Sequence, residues 1–190
     1  MRFDATTNTA SNETLILWAY CEPNRTHAVG DLQFGPDGSL YLSHGDSAWG
    51  SYVNYGQSAA GRPDNQCGDA NRAIGVAPTL PNSEGGMLRA QDLRTSDDPA
   101  GLQGTLIRID PNTGAAAADN PHAGSADPNE ARIVAYGLRQ PFRFTFRPGT
   151  DDTYIADVGW KNWEEINRVP NPRARVPCSR TSSQLLYMHS

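Results

Sequence analysis

Apolar residues alternate with polar ones in short runs along this chain, and hardly any window repeats them at the i, i+3, i+4, i+7 spacing of an amphipathic helix. The clearest run is 27–46, where Leu32, Phe34, Leu40 and Leu42 recur at every second position on either side of Gly35-Pro36-Asp37-Gly38. That pattern predicts two half-buried strands joined by a tight turn, with these four side chains on the buried face. The same reading predicts strands over 14–20, 31–34, 39–43, 105–110, 132–136, 142–146, 153–157 and 165–169. Pro111-Asn112-Thr113-Gly114 and Pro148-Gly149-Thr150-Asp151 supply turn chemistry between them. With 18 glycines and 14 prolines against so little helical periodicity, the fold class is all-β.

The pattern repeats. Leu32-x-Phe34-x-Pro36-x-Gly38-x-x-Tyr41 has a cousin in Phe144-x-Phe146-x-Pro148-Gly149 followed by Tyr154-Ile155-Ala156-Asp157. Two similar meanders suggest blades of a β-propeller, in which each unit buries its faces against its neighbours. The chain divides into a disordered N-terminus over 1–12, a β body over 13–169 and an irregular tail over 170–190. Within the body, 47–104 is rich in Gly, Ser, Asn and Pro without periodicity, as expected of a long loop insertion that forms a lid, a binding surface or a disordered segment.

Composition narrows the partners. Lys and Arg total 16 against 21 Asp and Glu, a formal charge of −5 with no basic stripe, which argues against nucleic acid. No apolar run approaches the roughly 18 residues that a membrane helix needs, so no membrane insertion is expected. The first residues lack the apolar core of a secretory signal, so either the protein is cytoplasmic or its natural start lies upstream of Met1. Cys21, Cys67 and Cys178 have no zinc-ligand spacing; Cys21 and Cys67 form one disulfide in an oxidising compartment, or all three are reduced thiols.

Candidate chemistry lies at the ends of the first hairpin. His27 opens its first strand and Asp46 closes its second, so antiparallel pairing brings both to the same end. A carboxylate within reach of one ring nitrogen orients the imidazole and leaves the other nitrogen to take a proton. Taken singly, His27 and Asp46 also read as ordinary turn residues, Arg139 as a surface ion-pair partner, and Glu164-Glu165 as the solvated face of a strand.

These hairpins occur together with Gln91-Asp92-Leu93, Gly104-Thr105-Leu106-Ile107-Arg108-Ile109-Asp110-Pro111, Ala135-Tyr136-Gly137-Leu138-Arg139-Gln140-Pro141-Phe142 and Asp157-Val158-Gly159-Trp160-Lys161-Asn162-Trp163-Glu164-Glu165-Ile166-Asn167. From His27 to Asn167 this series of blocks resembles the glucose/sorbosone dehydrogenase family, the soluble sugar dehydrogenases dependent on pyrroloquinoline quinone (PQQ). The resemblance implies a six-bladed β-propeller, of which this chain supplies about two to three blades. It implies oxidation of an aldose or related sugar at its anomeric hydroxyl, with hydride passing to the quinone. His27 then matches the catalytic base and Asp46 the carboxylate that orients it. Arg139 matches the arginine at the quinone oxygens, where a guanidinium stabilises growing negative charge. Ca²⁺ would be held by the carbonyls of Gly159 and Trp160 with Glu164 and Glu165 as carboxylates, an oxygen-only set that suits a hard cation.

The sequence also departs from the family. Gln140 stands beside the cofactor arginine where the family usually has Asn, one methylene longer at the quinone site. The family's later Lys and Arg contacts to the PQQ carboxylates have no counterpart. The tail after Asn167 does not resemble the family and reads as truncated or misread. Two functions therefore stand at this point: a PQQ- and Ca²⁺-dependent sugar dehydrogenase, present as a fragment that needs missing blades or a partner chain, or a non-catalytic propeller module that binds carbohydrate or protein. The family resemblance implies a periplasmic or extracellular location, and it leaves the electron acceptor unknown.

Overall fold

The computed structural model describes residues 2–20, 27–47, 100–159, 163–173 and 186–188. The cysteines, Trp160 and nearly all of the 47–104 insertion lie outside the described residues. A small hairpin pairs β1 (Arg2–Asp4) with β2 (Thr9–Ser11), inside the segment expected to be disordered. Asp4 stabilises its turn by accepting the Thr6 amide at 2.8 Å. Residues 14–20, expected as a strand, carry no strand pairing; residues 12–20 run as an irregular strap instead.

Two four-stranded antiparallel sheets follow, each in sequence order. The first joins β3 (Val29–Phe34), β4 (Leu40–His44), β5 (Thr105–Ile109) and β6 (Ile133–Tyr136); the second joins β7 (Pro141–Phe146), β8 (Thr153–Asp157), β9 (Glu164–Val169) and β10 (Leu186–Met188). β10 falls in the tail expected to be irregular. The internal repeat has a structural counterpart: β3–β4 and β7–β8 occupy the same places in their sheets, and each turn has a glycine at positive φ, Gly38 and Gly149. A five-residue helix, α1 (Pro128–Arg132), precedes β6 and has no antecedent in the sequence reading. Its signal was present: Asp127 caps the Asn129 and Glu130 amides, with Pro128 at the first turn.

Side-chain alternation sorts the core into two layers. Leu106, Tyr41, Val134, Phe144, Ile155 and Val169 fill the space between the sheets. Leu40, Ile107, Ile109 and Ile133 point to the other face of the first sheet, where Ile16, Leu17 and Tyr20 of the strap pack on them. With both faces covered, every residue of β5 is buried. The hairpin prediction is only half met. Leu40 and Leu42 join the core, whereas Leu32 and Phe34 are 52% and 66% exposed, because β3 is an edge strand beyond the reach of the outer cluster.

Polar contacts stitch the two sheets together along β3, β4 and β7. Ser43 Oγ donates to the Pro141 carbonyl at 2.8 Å, Arg143 to the Gly30 carbonyl at 3.0 Å, and Gln33 to the Phe144 carbonyl at 2.5 Å. At the far end, Arg108 is buried and hydrogen-bonds Asp37 of the β3–β4 turn, Asp119 and Asn120.

Candidate active site at the sheet ends

The end of β4, the crossing from β6 to β7 and the end of β8 meet at one point. His27 stands just before β3 in the left-handed region, at φ 56°. Its Nδ1 lies 2.6 Å from Asp46 Oδ1. Because the carboxylate can only accept, Nδ1 carries the proton and Nε2 is left basic. The His27 side chain is 14% exposed and that of Asp46 fully buried, so one face of the imidazole is reachable while its partner is shielded. This is the pairing that the hairpin register predicts.

Gly45 makes that approach possible. A Cβ there would come within 2.2 Å of the His27 carbonyl and 2.4 Å of Gln140 Oε1. The backbone ties the same spot down: Gly45 donates to Ala28, and Gly104 donates to the Gly45 carbonyl at 2.8 Å. Beneath it, His44 is buried and stacks on Tyr20 of the strap, with ring centroids 4.2 Å apart.

Arg139 and Gln140 sit on the crossing between the sheets. The Arg139 carbonyl accepts the Asp46 amide at 2.8 Å, and the Gln140 carbonyl accepts the Val158 amide at 3.0 Å. The Arg139 guanidinium donates to the Val158 carbonyl at 3.0 Å. Gln140 Oε1 is buried with no hydrogen-bond partner among the described residues. Asp157, which the sequence reading treated only as a strand end, accepts the Arg139 amide at 2.9 Å and the Gln140 amide at 2.6 Å. Its carboxyl is pushed up to about 6: burial is the main cause, the two amides pull against it, and the Glu165 and Asp46 carboxylates add to the rise.

The predicted calcium residues are partly in view. Gly159 donates its amide to Glu164 Oε2 at 2.9 Å, so the Glu164 side chain reaches back to Gly159. Glu165 lies across the ladder from Asp157. Among the described residues no group of three His, Cys, Asp or Glu side chains is placed to hold a metal. Of the predicted oxygen set, Gly159, Glu164 and Glu165 fall at one sheet end beside Arg139, while Trp160 lies outside the described residues. Their donor chemistry fits a hard cation only through backbone carbonyls added to the carboxylates.

Residues 82–173 match the family model described as Glucose / Sorbosone dehydrogenase. Over these residues the chain is similar to the glucose/sorbosone dehydrogenase family. The matched stretch contains Arg139, Gln140, Asp157 and the predicted calcium residues, but not His27 or Asp46. A crystal structure of a glucose dehydrogenase aligns with 98% of this chain and 39% of its own length at 20% identity, with a TM-score of 0.58. The PQQ-bound form of an aldose sugar dehydrogenase from Streptomyces coelicolor aligns with 77% of this chain and 29% of its own, at 19% identity and a TM-score of 0.44. An oxidoreductase from Thermus thermophilus, labelled a glucose dehydrogenase, aligns with 83% of this chain and 39% of its own, at 23% identity and a TM-score of 0.49. The chain therefore spans less than two fifths of each of these proteins. No curated protein sequence matches it. The chain is mostly β, and its two antiparallel sheets match a portion of the glucose dehydrogenase propeller.

Proposed function

We propose that this chain carries the base-bearing part of a PQQ- and Ca²⁺-dependent sugar dehydrogenase that oxidises the anomeric hydroxyl of an aldose or related sugar. The observation that carries the reading is the 2.6 Å contact between His27 Nδ1 and the buried Asp46 carboxylate, beside Arg139 and Gln140. When bound, PQQ supplies the two-electron acceptor for the hydride. His27 Nε2 takes the hydroxyl proton, and Asp46 stabilises the imidazolium that results. Arg139 brings positive charge to the site. Gln140 fits a polar cofactor through its buried Oε1, an acceptor that a donor from the bound group would satisfy. Gly159 and Glu165, with Trp160 and Glu164, are the residues that would hold the cation. The rest of the propeller is a required partner on this reading, since the chain spans 39% of the glucose dehydrogenase it resembles in fold. The family's exported location comes with the proposal, as does a separate electron acceptor.

The test is a PQQ and Ca²⁺ titration of the purified chain, alone and together with a chain carrying the remaining propeller blades, followed by quinone absorbance on adding a panel of aldoses. The expected result is aldose-dependent reduction that falls by about a hundredfold or more in His27→Ala. A folded chain that binds PQQ and reduces it equally well without His27 would overturn the assignment. A folded chain that binds no PQQ even with the remaining blades supplied would instead favour the non-catalytic propeller module.

A further inference from the structure

Four hydrogen bonds converge on the backbone of two adjacent residues, Arg139 and Gln140. Asp157 accepts both amides, at 2.9 and 2.6 Å; Asp46 donates to the Arg139 carbonyl at 2.8 Å and Val158 to the Gln140 carbonyl at 3.0 Å. The crossing from the first sheet to the second is thus clamped from both sides, by the end of β4 and the end of β8. Asp157 is 5% exposed and has Asp46 and Glu165 as charged neighbours, each of which repels it. A buried carboxylate facing like charges is an expensive way to satisfy two amides. It does, however, supply two acceptor oxygens to adjacent N–H groups at once, which a neutral Asn or Ser in the same place cannot do.

We propose that Asp157 is the positioning residue of this site: its carboxylate holds the Arg139–Gln140 peptide, and through that peptide sets where both side chains and the Asp46–His27 pair stand. The link to His27 is short. Asp157 fixes the Arg139 amide, the Arg139 carbonyl fixes the Asp46 amide, and Asp46 Oδ1 holds His27 Nδ1. The role of Arg139 and Gln140 toward PQQ rests on the function proposed above; the clamp itself does not.

The experiment uses the full chain with Asp157→Asn and Asp157→Ala. In the ligand-free protein, amide hydrogen exchange of Arg139 and Gln140 should be slowed in the wild type as strongly as that of the core strand residue Ile155. Asp157→Ala should release both amides. Asp157→Asn, which keeps one acceptor oxygen, should release only one. The downfield His27 Hδ1 resonance expected of a short bond to a carboxylate should move upfield in Asp157→Ala. In a PQQ and Ca²⁺ titration, Asp157→Asn should weaken quinone binding tenfold or more, while Arg108→Met, which loosens the opposite end of the sheet, should leave it unchanged. Should either Asp157 variant fail to fold, the wild-type exchange still decides: fast exchange at Arg139 and Gln140 overturns the clamp, and strong protection upholds it. Equal quinone affinity with an unmoved His27 signal in a folded Asp157→Asn also overturns it. A wild type that binds no PQQ even with the remaining blades supplied sinks the functional reading alone, and the exchange and His27 signals then judge Asp157 without it.

Discussion

His27 and Asp46 are nineteen positions apart in sequence and 2.6 Å apart in space, and the residue that permits this is neither of them. Gly45 leaves room for the His27 carbonyl and the Gln140 amide group. Gly45→Ala should cost roughly 1–3 kcal/mol by overpacking and push His27 off Asp46, seen as a lower melting temperature together with loss of the downfield His27 signal. Asp157 gives the site a pH signature in stability. The folded state holds its proton up to about pH 6, against an ordinary value of 3.8, so the stability from that proton is complete below about pH 4 and is lost as pH rises through 6. Urea unfolding in a chelator should show the wild type losing up to about 3 kcal/mol relative to Asp157→Asn across that window. Asp37 and Asp119 act in the opposite sense. Burial raises Asp37 but the Arg108 hydrogen bond and charge outweigh it, and the Arg108 hydrogen bond holds Asp119 low; both contributions disappear only as pH falls below the ordinary carboxylate range.

At the level of elements, the β3–β4 hairpin is held at both ends by polar groups whose partners lie far along the chain. Arg108 of β5 reaches Asp37 in its turn at 2.7 Å and Asp119 in the β5–α1 connection at 2.6 Å, with its guanidinium 6.0 Å from the Tyr41 ring centre. Asn120 completes the connection by donating to the Arg108 and Ala131 carbonyls. Arg108→Met should strand a part-buried Asp37 carboxylate and cost about 3 kcal/mol in chemical denaturation. Periodicity located the hairpin strands because alternation marks the two faces of an extended chain, but it assigned a buried face to β3 that the sheet edge leaves exposed. It missed α1, which is too short to show a 3.6-residue repeat and is betrayed only by the Asp127-Pro128 cap. It also assigned a strand to the apolar strap, where Ile16 and Leu17 face a core without joining a ladder.

For the whole molecule, the strap is what covers the outer face of the first sheet. Ile16→Asp should place a charge against Leu40, Ile107 and Ile133, lower stability by about 2–3 kcal/mol and increase binding of a hydrophobic dye. The second sheet has no such cover among the described residues: Phe142 is 52% and Trp163 44% exposed. In a propeller each blade closes its neighbour's face, and exposed apolar side chains of this kind mark where contact is wanted.

The sequence by itself determined the alternation, the turns and the repeat, because strand periodicity and turn chemistry are local properties of neighbouring residues. It determined the pairing of His27 with Asp46 as well, since hairpin register follows from the turn. It carried the family resemblance through linear blocks. Only the tertiary structure decided that Leu32 and Phe34 stay exposed on an edge, that Arg139 and Gln140 stand beside the hairpin, and that Asp157 is buried beneath them. Those facts depend on how one sheet lies against the next, and no local pattern encodes the contact of a strand end with a crossing peptide eighteen residues away.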